Sequence, residues 1–146
     1  MITVLLVDDH APVRKSLRYL LESAEDIQVV ATASNGFEAI ARVSLRCPDV
    51  AIVDVSMPLM DGIEVTRLLR LRCRETRVMM LSIYDNAEYV QRAVKVGALG
   101  FVLKDSIGTD LVNAVRALYA GERFFSKKIN QIADQLFSQR GDQRSP

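Results

Sequence analysis

Short apolar runs alternate with stretches of helical spacing along most of the chain. The runs are Ile2–Val7, Ile27–Ala33, Val50–Val53, Val78–Leu81 and Leu99–Leu103. Each is of strand length and bounded by polar or turn residues. Between them, Val13, Leu17, Leu20 and Leu21 recur at helical spacing, as do Leu111, Val115, Leu118 and Tyr119. In the second helical stretch Phe37, Ile40, Ala41 and Leu45 are expected to share the core face. Pro12 suits a first helical turn, where its missing N–H costs nothing. Asn35 with Glu38, and Asp85 with Glu88, have the spacing of capping pairs. Gly97 and Gly121 stand where the fourth and fifth helices should stop. Strands alternating with helices predict an α/β fold with right-handed crossovers and a parallel sheet. Consecutive apolar residues at Val4–Val7 and Ala51–Val53 fit a sheet covered on both faces.

Beyond Gly121 the pattern changes. Phe124-Phe125 precedes Lys127–Phe137, which allows one more short helix, and Ser138–Pro146 reads as a disordered linker or tail. The chain has 146 residues, the size of one ordinary domain, and 49% are hydrophobic, enough for a packed core. A net charge of +1 gives no global reason to expect nucleic-acid or membrane binding. Arg67, Arg70, Arg72, Arg74 and Arg77 have no stacking aromatic among them and read as a solvated face. No apolar stretch approaches membrane-helix length, and Met1 leads straight into a strand without a basic flank, unlike a signal peptide. Cys47 and Cys73 lie outside any metal-ligand spacing and are expected to be free thiols in a reducing cytosol.

In open α/β sheets the working site lies outside the carboxyl ends of the strands. There the sequence places Asp8 and Asp9, Asp54, Ser82 and Lys104, at the ends of strands one, three, four and five. Three carboxylates in one crevice repel one another unless a cation joins them. Oxygen-only ligands with no His or Cys favour Mg²⁺, which often shares itself with a phosphate. An acid flanked by metal, ammonium and hydroxyl suits phosphoryl acceptance, where positioning and charge neutralisation dominate. Taken singly, each residue has an ordinary reading: a helix N-terminal acid pair, a turn-opening Asp, a strand-end hydroxyl, a solvated lysine. Their conjunction at successive strand ends favours the chemical one. His10, beside the acids, reads as a surface or cap residue.

Four strings carry a resemblance: Val7-Asp8-Asp9-His10, the segment Asp54 to Gly62 (DVSMPLMDG), Leu81-Ser82, and Gly100 to Asp105 (GFVLKD). Together they resemble the response-regulator receiver domain over residues 1–122. Gly121 to Ser126 (GERFFS) is similar to the NarL/FixJ (LuxR-type) subfamily. The resemblance implies a flavodoxin-like, doubly wound (βα)5 fold with a five-stranded parallel sheet in the order 2-1-3-4-5. It implies a cytoplasmic phosphorylation switch, not a turnover enzyme. Asp54 would accept a phosphoryl group from a sensor histidine kinase. Asp8, Asp9, Asp54 and the Ser56 carbonyl would hold Mg²⁺, Asp8 largely through water. Lys104 and Ser82 would contact the phosphoryl oxygens. On phosphorylation Ser82 would move toward the phosphate and Phe101 would turn inward. Ser56 and Tyr84 occupy places that tune attack of water on the phosphoaspartate, and the bulky Tyr84 would shield it. Kinase docking would use Ala11, Val13, Arg14, Leu17 and the loop after Lys104. A homodimer formed on phosphorylation would use the fourth or fifth helix.

Residues 123–146 are read as a C-terminal helix and linker, with the subfamily's DNA-binding domain outside this chain. The chain is therefore expected to be the receiver part of a longer transcriptional regulator; the alternative is a stand-alone receiver signalling by protein contacts. A haloacid-dehalogenase-type hydrolase would want Asp-x-Asp after strand one, whereas Asp8 and Asp9 are adjacent. A flavodoxin would want a hydroxyl- and Gly-rich loop where His10-Ala11-Pro12-Val13 stands.

Overall fold

In the computed structural model, the backbone is described for residues 1–144 and side chains for residues 1–139. The strands are β1 (Ile2–Val7), β2 (Ile27–Ala33), β3 (Val50–Asp54), β4 (Arg77–Ser82), β5 (Gly100–Leu103) and β6 (Phe124–Phe125). The helices are α1 (Ala11–Glu22), α2 (Gly36–Leu45), α3 (Gly62–Arg72), α4 (Ala87–Lys95), α5 (Ile107–Tyr119) and α6 (Lys127–Arg144). The expected parallel order is present, with one strand added: β2-β1-β3-β4-β5-β6. β6 pairs Phe124 with Gly100 and Phe125 with Phe101, extending the five-stranded sheet expected from the sequence. Two residues are too few to show a strand period, which is why this one escapes a pattern search.

Successive strand residues face opposite layers. Val4, Leu6, Ile52, Met79 and Leu81 pack under α1 and α5. Leu5, Val53, Met80 and Phe101 pack under α2, α3, α4 and α6. α6 lies against α4, with Ile129 and Ala133 wholly inside. It runs on through Arg144, so Ser138–Arg144 is helical and not the disordered tail expected. Ser145 and Pro146 lie outside the described residues.

Two local expectations are corrected. α2 buries Gly36, Ala39 and Val43; of the expected face, Phe37, Ala41 and Leu45 are exposed and only Ile40 packs, partly buried, against the core. The reason is steric. Gly36 sits so close to Met60 and Val65 that a Cβ there would collide with both, so the narrow face of α2 is the one that fits beside α3. At α4 the N-cap is Asn86, without a side-chain bond, and not Asp85. The Asn35 cap does form, accepting from the Glu38 amide at 2.9 Å, while Glu38 reaches back to the Ser34 amide at 2.8 Å.

The cysteines are corrected as well. Cys47 and Cys73 form a disulfide, with Cα atoms 5.7 Å apart. They precede adjacent strands β3 and β4, so the sheet brings together residues 26 positions apart in sequence. Spacing along the chain carries no such distance.

Candidate functional site: the carboxyl edge of the sheet

Parallel strands deliver all their carboxyl ends to one edge, and the buried apolar runs carry Asp8 and Asp54 into it. Asp8 is fully buried and Asp54 is 2% exposed. The Lys104 ammonium, at the β5 end, lies 3.0 Å from Asp54 Oδ2 and 3.8 Å from Asp8 Oδ2. The Ser56 amide donates to Asp54 Oδ1 at 3.1 Å, and the His10 amide to Asp8 Oδ1 at 2.9 Å. Arg14 holds the β1–α1 turn by donating to the Asp8 carbonyl at 2.6 Å.

Burial pushes the Asp54 carboxyl above its ordinary value; the Lys104 ammonium opposes this, the neighbouring Asp8 charge adds to it, and the Ser56 amide opposes it. Gly62, the first residue of α3, lies against the Asp54 backbone, where a methyl group would overlap the Asp54 carbonyl. Leu59, in the same loop, takes a φ of 71°, a strained value for a branched side chain. The tight β3–α3 loop thus fixes where Asp54 points.

Asp8, Asp54 and Lys104 meet as the sequence predicts. Ser82 ends β4 and is buried, but its Oγ accepts from the Tyr84 amide at 2.8 Å, which leaves its proton free to donate elsewhere. Ser82 and Lys104 line a cavity of about 110 Å³ together with Asp105 and Lys128. Lys128 was not among the expected site residues. It comes from α6 and pairs with Asp105 at 3.1 Å, and only the docking of α6 brings it here.

The tightest group of candidate ligand atoms joins Asp8, Asp9 and His10, one from each within 4.8 Å of the others; Asp54 is turned instead toward Lys104 and Ser56. His10 is 67% exposed, with Nδ1 3.2 Å from Asp9 Oδ1. Among the described residues, Asp8 Oδ2 and Asp9 Oδ1 are buried without a hydrogen-bond partner. Buried carboxylate oxygens that have only the His10 ring and the Lys104 ammonium nearby, and no hydrogen bond, fit a hard, oxygen-seeking cation.

The chain matches the response regulator receiver domain over residues 4–116. It belongs to that family. NreC, the oxygen regulatory protein of Staphylococcus epidermidis, is 39% identical over 86% of this chain and 58% of its own length. UvrY, a response regulator of Escherichia coli, is 34% identical over 90% of this chain and 60% of its own length. A LuxR-family two-component response regulator from Aurantimonas sp. SI85-9A1 superposes with a TM-score of 0.86 at 34% identity, covering 91% of this chain and 96% of that one. The receiver is thus of the NarL/LuxR type within two-component signalling. The chain spans about 60% of the length of the curated relatives it matches. Receivers take phosphoryl groups from histidine kinases and generally bind Mg²⁺ at an acidic pocket. No helix among the described residues is long and apolar enough to cross a membrane.

Proposed function

We propose that Asp54 of this receiver is the phosphoryl acceptor, taking the group from the phosphohistidine of a sensor kinase. The observation that carries this reading is the buried Asp54 carboxylate at the end of β3, held 3.0 Å from the Lys104 ammonium. In the transfer, an Asp54 carboxylate oxygen bonds to phosphorus as the bond from phosphorus to the histidine nitrogen breaks. The product is an acyl phosphate. Lys104 then neutralises a phosphoryl oxygen, and the free Ser82 proton donates to another. Asp8, Asp9, Asp54 and the Ser56 carbonyl would hold Mg²⁺, which supplies further neutralisation of the equatorial oxygens. The burial that raises the Asp54 carboxyl also makes its charge more attractive to the ion and to phosphorus.

Phosphorylation adds charge at one strand end, and the new contacts bias an existing equilibrium. Phe101 is wholly buried among residues of α4 and α6. Its part in a switch is therefore a repacking beneath those helices and not a passage from solvent inward. Kinase docking is proposed at the start of α1 and the loop after Lys104. An apolar cavity of about 320 Å³ lined by Pro12, Val13, Leu17, Leu20 and Ile107 supports this placement. Residues 1–122 carry the receiver's strand-end chemistry in this reading, in the cytoplasm, and β6 with α6, which pack into the same sheet and core, would lead toward a transcriptional output domain. Homodimerisation on phosphorylation would show as faster sedimentation in beryllofluoride; an unchanged monomer at high concentration removes it.

The deciding experiment is intact-mass measurement after incubation with acetyl phosphate and Mg²⁺. One phosphoryl adduct, absent in Asp54→Ala, is expected, with slow loss by the protein's own hydrolysis. Repeated turnover of an added phosphomonoester would instead support a phosphatase-like enzyme.

A further inference from the structure

His10 follows the acid pair and is the chain's only histidine. It is the N-cap of α1, in an extended backbone conformation, yet its side chain caps nothing. Its amide donates to Asp8 Oδ1 at 2.9 Å and Arg14 donates to the Asp8 carbonyl at 2.6 Å, so the turn from Asp8 to His10 is fixed by its own hydrogen bonds. That turn brings the ring back to the acids. Nδ1 lies 3.2 Å from Asp9 Oδ1 and 3.7 Å from Asp8 Oδ1. Close as the ring is, Asp9 Oδ1 has no hydrogen-bond partner among the described residues, so the contact is not a hydrogen bond. Asp8 is fully buried and its Oδ2 has no such partner either; Lys104 leans to Asp54, at 3.0 Å against 3.8 Å to Asp8. Three side chains that can each give an electron pair thus converge without satisfying one another.

We propose that Asp8, Asp9 and His10 form a site for a divalent transition ion of the zinc class, with a ligand set different from the one proposed for Mg²⁺. The set gains an imidazole nitrogen. It does without the Ser56 carbonyl and without Asp54, which is turned toward Lys104 and the Ser56 amide. The donors decide the preference: Mg²⁺ takes oxygen in near-ideal octahedra, whereas imidazole suits zinc and its neighbours. Ligand atoms about 2.0 Å from a tetrahedral ion stand about 3.3 Å apart, close to the separations of Nδ1 from the two acids. Two carboxylates balance a divalent charge, and three protein ligands leave a fourth position for water. The binding rests on these three residues alone. Its consequence rests on the Mg²⁺ reading: both ions need Asp8 and Asp9, so zinc withholds them from Mg²⁺ and opposes phosphoryl uptake.

The test titrates the full chain with zinc chloride against a chromophoric zinc chelator, and separately with magnesium chloride. Cys47 and Cys73 are paired with each other, so neither offers a competing thiolate. The parent should bind zinc at one equivalent. His10→Ala, at an exposed position, should weaken zinc binding by about 10- to 100-fold, at least what a lost partner of a ligand costs, and leave Mg²⁺ affinity as in the parent. Asp9→Asn should weaken both ions, and excess Mg²⁺ should lower the parent's apparent zinc affinity. The proton resonances of the single imidazole should shift far more with zinc than with Mg²⁺. Unchanged zinc affinity in His10→Ala, an equal loss for both ions there, or an imidazole that ignores zinc overturns the proposal and leaves the Asp54 reading intact. Zinc held through His10 by a chain that takes no Mg²⁺ upholds the site and removes the Mg²⁺ reading.

Discussion

The two ends of one sheet treat buried polar groups in opposite ways. At the amino edge they are closed off. Asp49 Oδ2 accepts from the Thr3 amide at 2.9 Å and from its hydroxyl at 3.0 Å. Thr76 donates to the Pro48 carbonyl at 2.6 Å, and the Cys47–Cys73 disulfide joins the chain entering β3 to the end of α3. At the carboxyl edge Asp8 Oδ2 and Asp9 Oδ1 lie buried with no hydrogen-bond partner among the described residues, and one ammonium lies near both Asp8 and Asp54. The same topology builds both edges, so the difference lies in their side chains. Closure at one edge stabilises the fold; incompleteness at the other, at a cost in stability, is what the proposed ion and phosphoryl group would make good.

The largest effect that tests this contrast is at the carboxyl edge. Lys104→Ala should slow phosphoryl uptake from acetyl phosphate between about 100- and 1000-fold. A rate near that of the parent would remove Lys104 from the chemistry. At the amino edge, Cys47→Ser or reduction of the disulfide should lower unfolding free energy by about 3 kcal/mol, from the loop it closes. Denaturant melts give this value, and uptake kinetics should stay unchanged; slowed uptake in folded, reduced protein would show that the edges are coupled. Asp49→Ala, which strips acceptors from Thr3, should cost about 2 kcal/mol in the same melts.

The smallest effect has the opposite sign. Asp54 carries a carboxyl whose value burial raises, so in the metal-free protein its ionised form is disfavoured by folding. Above the raised folded value that penalty is fully present. It fades as pH falls through that value toward the ordinary carboxylate value, below which both states hold the proton. Asp54→Asn should therefore raise the melting midpoint by a few degrees at neutral pH and lose this advantage in acid. A lower midpoint at neutral pH would mean that pairing with Lys104 outweighs burial.

Much of this was legible from residue order. Apolar runs followed by Asp8-Asp9, Asp54, Ser82 and Lys104 located the strands and the carboxyl edge together, because a parallel sheet leaves no other place for strand-end residues. The Asn35 cap and the stops near Gly97 and Gly121 were legible for local reasons: each is set by backbone geometry within one turn. The α2 face was not. Phe37 and Leu45 mark the more apolar stripe, but the close approach to Met60 and Val65 selected the smaller residues.

What the sequence by itself determined is therefore the alternation of elements, the order of chemistry along the strand ends and the family. These depend on period, turn propensity and local strings. Tertiary structure alone decided the Cys47–Cys73 pairing, the docking of α6 on α4, the arrival of Lys128 beside Lys104 and the stack of Tyr84 on Tyr89. Each of these is a meeting of separate elements. It depends on how packed helices and strands fit in space, a distance that residue spacing does not encode.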